Sequence, residues 1–422
     1  MLIVSKIKNI KSRQVFDSRG FPTVEAEVTL DDGSFGSAIV PSGASTGTHE
    51  AHELRDKNEK YLNKSVLQAV ENINNKIFPA LINNSALDQK NIDNIMIGLD
   101  GTTNKSNLGA NAILAVSIAN CKAASAFNNV QIYEYLSKTK MHTLPYPMLN
   151  IINGGAHANN SLQIQEFMIR PDGAKSFSEC MQMSFLVIQN LKKLLTKKNL
   201  STNVGDEGGF APSLNSDQQA LDYIMQSIIN SGFVPGKDFN LCLDVAANEI
   251  YDGQSYVIEN STKTDPEGMI SYYEQLTSKY PIKSIEDPIF EDDWNTWKKL
   301  TKKIGSNVQI VGDDLFVTNS IRLKKGIENN SANAILIKVN QIGSVSETLD
   351  TIELAQKNSF NTIISHRSGD TEDTFIADLA VATNSNQIKT GSLARSERVS
   401  KYNRLLRIED LNESNITMAK IK

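Results

Sequence analysis

Six short apolar runs in the second half of the chain each end in a polar or ionisable residue. They span 240–244, 282–286, 308–313, 335–338, 362–366 and 387–389, and close on Asp244, Glu286, Asp313, Lys338, His366 and Lys389. The intervals between these ends are 42, 27, 25, 28 and 23 residues, room for one helix and two turns each. Buried strands alternating with helices make a parallel sheet, and this rhythm predicts a closed (β/α) barrel. Two earlier strand candidates, 148–153 and 165–170, bring the number to the eight staves that such a barrel needs. No helix fits between these first two, whereas two fit between the second and third. Helical spacing is expected over 176–197, 216–230, 294–304, 345–357 and 398–406.

The first ~135 residues read differently, as strands followed by helices. Residues 1–40 alternate, with 23–30 and 34–40 joined by the turn Asp31-Asp-Gly33, a hairpin signal. Helical periods run over 60–81 and 109–127, where Ala112, Leu114, Ala115, Ile118 and Ala119 share a face. The polar stretch 136–145 has no period and stops at Pro145, which places a linker there. The expected division is an N-terminal α+β unit over 1–135 and a barrel over 142–422. A chain of 422 residues has the length for both.

A net charge of −5 offers no electrostatic reason for nucleic acid as the main ligand. No apolar run approaches the ~20 residues of a membrane span, and the start at Met1 lacks the pattern of a signal peptide, so a cytoplasmic protein is expected. Cys121, Cys180 and Cys242 stand alone inside apolar patterns and read as buried free thiols.

In a barrel the C-terminal strand ends meet at one mouth. Asp244, Glu286 and Asp313 then offer three hard oxygen ligands, a set that favours Mg²⁺ over zinc. Each acid alone also reads as a cap for the helix that follows. Lys338 and Lys389 read either as ion-pair partners of these acids or, with a lowered pKa in a positive field, as bases. His366-Arg-Ser-Gly369 makes a polar turn able to hold an anion. The acidic turn Gly205-Asp-Glu-Gly-Gly209 and the small-residue loop 42–47 read as ligand loops or as ordinary solvated ones. The latter lacks the Gly-Lys-Ser/Thr ending of a nucleotide-binding loop. Glu291-Asp-Asp293 reads as a solvated helix start.

Together these segments resemble the enolase family almost end to end. The resemblance is carried by Phe16-Asp-Ser-Arg-Gly20, Pro41-Ser-Gly-Ala-Ser-Thr-Gly47, Asn104-Lys-Ser-Asn-Leu-Gly-Ala-Asn-Ala-Ile113 and Asn150-Ile-Ile-Asn-Gly-Gly155. It continues through Gln165-Glu-Phe-Met168, Gly205-Asp-Glu-Gly-Gly209, Ser284-Ile-Glu-Asp-Pro288, Lys338-Val-Asn-Gln-Ile-Gly343, Ser365-His-Arg-Ser-Gly369 and Lys389-Thr-Gly391. Phe21, Ala156, Asn159 and Asn248 depart from the family's usual residues, none at a chemical position. The resemblance implies a barrel that opens β-β-α-α and the Mg²⁺-dependent, reversible dehydration of 2-phosphoglycerate to phosphoenolpyruvate in glycolysis. It implies that Asp244, Glu286 and Asp313 hold one Mg²⁺, while a second arrives with substrate and engages Ser45. It further implies that Lys338 takes the C2 proton and Glu207 protonates the leaving hydroxyl beside Glu166. Arg367 and Ser368 would grip phosphate, Lys389 and Gln165 orient the substrate, and His157 and His366 line the pocket. A lysine base beside Mg²⁺ ions is the known logic of this superfamily. The family's habit also implies at least a homodimer, with a second role at the cell surface left open.

Two other readings compete. One is a metal-dependent dehydratase or racemase of the same superfamily acting on an acid sugar, disfavoured by the Arg367-Ser368 anion grip. The other is a scaffold or receptor whose chemistry has been lost, disfavoured by the full set of catalytic residue types.

Overall fold

The computed structural model describes residues 5–43, 47–258, 262–412 and 416–421. Eight strands close a barrel in chain order: Tyr146–Asn153, Glu166–Arg170, Asn240–Asp244, Ile282–Glu286, Gln309–Gly312, Ala334–Ile337, Asn361–Ser365 and Gln387–Lys389. Asp244, Glu286 and Lys389 are the last residues of their strands, and Asp313, Lys338 and His366 the first residues beyond theirs. Side chains alternate across the wall with period two. Ala334 and Leu336 join Met148, Met168, Cys242, Val311 and Ile363 in an apolar plug inside the barrel, while Ile335 and Ile337 face the helical layer. Burying one such Leu or Ile contributes about 1.5–3 kcal/mol, so the plug makes the wall a rigid mount for the groups above it.

The sheet is not wholly parallel, as the strand rhythm alone predicts. The second strand runs antiparallel to both its neighbours. Between Asn153 and Glu166 the chain makes only the short 3-10 turn Gly155–His157, with no crossover helix to bring it back to the starting side. The reversal decides which end of that strand reaches the mouth. Its first residue, Glu166, pairs in register with Asp244, the last residue of the third strand.

The outer helices begin on side-chain caps. Ser176 accepts from Glu179 N–H ahead of Phe177–Lys197, Ser216 from Gln219 N–H ahead of Asp217–Asn230, and Ser344 from Glu347 N–H ahead of Val345–Lys357. The final helix, Ser396–Asn412, extends well beyond the 398–406 expected from its period.

In the N-terminal unit, Ile7–Phe16, Pro22–Leu30 and Phe35–Ile39 form an antiparallel sheet covered by the helix Ala110–Phe127. Gly36 permits that approach, since a Cβ there would collide with the helix backbone at Ala119 and Ala123. This helix is the one described segment long and apolar enough to cross a membrane, and 83% of it is buried inside the protein. The 60–81 stretch is broken into short pieces, with a π turn at Ile73–Ile77 between helices Leu67–Asn72 and Phe78–Leu81. The helix Gln89–Asp100 and the linker strand Thr143–Leu144, paired with Thr417–Met418, carried no clear signal in the sequence.

The two units are stitched together beside the mouth. Ser42 and Gly369 exchange backbone hydrogen bonds of 2.8 and 2.9 Å. Lys122 pairs with Asp373 at 2.6 Å, and buried Asp93 accepts from Ser346 N–H and Oγ at 2.9 and 2.6 Å.

Candidate active site

Strand register assembles the centre of the mouth. Glu166, Asp244 and Glu286 sit level on the second, third and fourth strands. Lys389, from the eighth strand, reaches across with Nζ 3.2 Å from Glu166, 2.9 Å from Asp244 and 2.8 Å from Glu286. Burial works against the charge of this amine, but the three carboxylates outweigh it and hold its pKa well above the usual lysine value. Lys338 is ion-paired with Asp313, and there too the carboxylate overcomes burial and raises the amine. Gln341 donates to the other oxygen of Asp313 at 2.8 Å.

Asp313 is itself aimed by a clamp that sequence reasoning missed. Asp287, with φ of 38°, accepts the backbone N–H of Asp313 at 2.9 Å and of Asp314 at 2.8 Å. It thereby fixes the turn after the fifth strand. Its position next to Glu286 is the only signal the sequence offers.

A second group stands on the side of the second strand. Ligand atoms of His157, Glu166 and Glu207 all lie within 4.8 Å of one another. Glu207 Oε2 accepts from Asn150 Nδ2 at 3.2 Å and lies 3.3 Å from His366 Nε2. Burial opposes ionisation of Glu207, but His366 and His157 win and hold it well below the usual carboxylate range. Glu166, buried beside that negative charge, is pushed well above it. The two carboxyls therefore differ in their hold on a proton, Glu166 keeping one to higher pH than Glu207.

His366 is oriented by Arg398, a fully buried residue that reads in the sequence only as the start of a helix. Arg398 Nη1 lies 2.6 Å from His366 Nδ1, and a guanidinium can only donate, so the ring proton belongs on Nε2, facing Glu207. Burial lowers the His366 pKa to about 4, with Arg398 adding to the shift. Arg398 also donates to the carbonyls of Arg367 and Ser368 at 2.6 Å each, setting the turn that carries the expected anion grip.

His157, Gln165, Glu166, Glu207, Asp244, Asp313, Lys338, His366, Arg367, Ser368 and Lys389 line one cavity, and Glu286 joins it through Lys389. Ser45 lies outside the described residues. The cavity is only about 20 Å³, room for a water molecule or two, because the paired amines and acids fill it. A cavity of about 850 Å³ lies at the opposite end of the barrel, bordered by Arg170, Asn240 and Gln309, away from these acids and amines. Glu291 departs from the solvated role expected of it. It is 4% exposed and accepts from Thr48 Oγ1 at 2.6 Å, leaving Asp293 as the cap of Trp294–Ile304.

The mouth can hold a cation. Asp244, Glu286 and Asp313 offer carboxylate oxygens there, and Glu286 Oε1 is buried with no hydrogen-bond partner among the described residues. Burial and the neighbouring acids push Glu286 well up and Asp314 to about 8, the response of carboxylates crowded without enough positive charge. The oxygens of Asp287, Asp313 and Asp314 come within 4.8 Å of one another, whereas the amines of Lys389 and Lys338 lie among Asp244, Glu286 and Asp313.

Comparison with known proteins agrees with this architecture. Residues 7–136 match the family model described as "Enolase, N-terminal domain", and residues 141–420 match "Enolase, C-terminal TIM barrel domain". A curated protein named enolase from Pelagibacter ubique (strain HTCC1062) is 60% identical over 419 residues, spanning 99% of this chain and 100% of the relative. Another, from Corynebacterium kroppenstedtii, is 55% identical over 408 residues, 96% of each chain. With both halves matched and such identity over nearly its whole length, the chain belongs to the enolase family.

Proposed function

We infer that this chain catalyses the reaction its relatives are named for, the reversible dehydration of 2-phospho-D-glycerate to phosphoenolpyruvate. In this reading Lys338 takes the proton from C2, and the Glu207–Glu166 pair protonates the hydroxyl that leaves C3. One observation carries the assignment of roles. Lys338 follows the sixth strand and Glu166 opens the second, four positions apart in a ring of eight, so base and acid face each other across the mouth. A three-carbon substrate lying between them presents its C2 proton to one side and its C3 hydroxyl to the other.

The remaining residues then divide the substrate between them. Lys389, from the eighth strand, and Gln165, just before the second, orient its carboxylate, and Arg367 with Ser368 holds its phosphate. His366, with Nε2 3.3 Å from Glu207 Oε2, helps to keep Glu207 the more acidic of the two carboxyls. Lys338 can accept a proton only when its pairing with Asp313 is broken, so engagement of Asp313 by another cation turns a salt-bridge lysine into a base.

Asp244, Glu286 and Asp313 are the residues proposed to hold Mg²⁺, with Ser45 for a second ion. The bound metal supplies the positive charge that makes a carbon acid next to a carboxylate removable. The N-terminal unit, 1–135, is proposed to cap the catalytic barrel, 142–422, in a homodimer or larger homo-oligomer acting in the cytoplasm. The test is direct. Purified protein given 2-phosphoglycerate and Mg²⁺ is expected to raise the ultraviolet absorbance of phosphoenolpyruvate, and EDTA to stop the rise. No rise with Mg²⁺ present overturns the assignment.

A further inference from the structure

The anion grip is already engaged by the protein itself. Arg367 makes a two-pronged ion pair with Glu50, Nη1 to Oε2 and Nη2 to Oε1, both at 3.0 Å. Nη1 also donates to Asn340 Oδ1 at 3.0 Å. Both side chains of the pair are nearly buried, 3% and 9% exposed. The end of a guanidinium fits a carboxylate and a phosphate in the same bidentate manner, so the two compete for one face. Glu50 comes from the N-terminal unit, 317 residues away in sequence.

We propose that Glu50 is an internal competitor of the substrate phosphate, holding Arg367 in register until the phosphate displaces it, and so setting the affinity of the site for phosphate esters. The proposal rests on the reading of Arg367 as the phosphate grip.

Two features make the exchange feasible. The first is that Glu50 is held weakly apart from Arg367, accepting Gly47 N–H at 3.1 Å and Gln341 Nε2 at 3.4 Å. The second is a place to go. Glu50 and Asn340 also border a separate cavity of about 480 Å³ whose walls carry three cations, Arg19, Arg55 and Lys64, against one other acid, Glu53, which is paired with Arg55 at 2.8 Å. A displaced carboxylate turns towards those cations and is not stranded as an unpaired buried charge, which would be costly. Before and after the exchange Arg367 is paired with an anion, so neither end state leaves its charge buried alone. The exchange also discriminates: a doubly charged phosphate outcompetes a singly charged carboxylate for the same fork, whereas a neutral or weakly charged group does not.

The consequence is an affinity reduced by the fraction of molecules whose fork is open. Neutralising Glu50 weakens the fork and raises that fraction. With Mg²⁺ present, inorganic phosphate as the probe is expected to bind Glu50→Gln about tenfold more tightly than the parent protein, with KM for 2-phosphoglycerate falling in parallel. Glu50→Asp, which keeps the charge but shortens the reach, is expected to fall between the two and carries the test should Glu50→Gln fail to fold. Arg367→Met is expected to weaken phosphate binding and to abolish any effect of Glu50→Gln in the double variant. If Arg367→Met weakens binding while the Glu50 variants bind phosphate equally or less well than the parent, Glu50 merely braces the arginine and the proposal is overturned. If Arg367→Met leaves phosphate binding unchanged, the reading of Arg367 as the phosphate grip fails, and this proposal with it.

Discussion

Asp313 shows how one side chain is positioned by several others. Its backbone N–H is clamped by Asp287, one carboxylate oxygen is paired with Lys338, and the other accepts from Gln341. If it is a metal ligand, Asp313→Ala is expected to lower Mg²⁺ affinity about 100-fold or more in a titration, since even changes to residues behind a ligand cost 10–100-fold. An unchanged titration removes it from the site. His366 yields a prediction of another kind. Its folded-state pKa, lowered to about 4 by burial, lies below the ~6.5 of an unfolded histidine. Between those values the unfolded chain binds a proton that the folded one refuses, so stability falls as pH drops from 6.5 to 4, by about 3 kcal/mol. Asn can still accept from Arg398 but does not titrate. His366→Asn is therefore expected to flatten that part of the pH dependence in urea denaturation, and a slope equal to the parent's contradicts the buried neutral ring.

Elements were legible wherever period and composition agreed. The strand ends at Asp244, Glu286 and Lys389 fall where the apolar runs stop, because a buried strand is apolar until it emerges. The antiparallel second strand was only half legible: the missing helix before it is visible in the sequence, but its direction is a property of the closed sheet. Asp287, Arg398 and Glu50 went unread for a shared reason. Each acts through partners distant in sequence, and each looks locally like a turn, a helix start or a loop. Glu291 was misread because an acid before a helix is usually solvated, whereas here Thr48 of the other unit covers it. Asn248 bridges Asp314 and Glu291 at 2.9 and 3.0 Å, so that departure from the family pattern falls on packing next to the site. At Gly36 the contact of sheet and helix leaves no room for a side chain. Gly36→Ala is expected to destabilise the protein by about 1–3 kcal/mol through overpacking, read as a lower urea midpoint at unchanged slope. An unchanged midpoint means the helix shifts at no cost.

At the scale of the whole molecule, the N-terminal sheet and the barrel share their boundary with the mouth. The Ser42–Gly369 backbone pair lies next to the Arg367-Ser368 turn, and Asp93, pushed up by burial, is satisfied by Ser346 of the barrel. Separating the units would leave these polar groups unpaired, so both are expected to unfold in one transition. Near-ultraviolet and far-ultraviolet signals should coincide in urea, and two resolved transitions contradict that coupling.

The central claim is that an amine on one side of the barrel removes the C2 proton while carboxyls on the other release the C3 hydroxyl. Exchange of the C2 hydrogen of 2-phosphoglycerate with solvent deuterium, followed by NMR beside dehydration, separates the two steps. Lys338→Ala is expected to bind substrate but lose exchange and dehydration together, by at least about 100–10,000-fold. Glu207→Gln is expected to keep exchange and lose dehydration. Exchange that survives in Lys338→Ala, or disappears equally in both variants, contradicts the account.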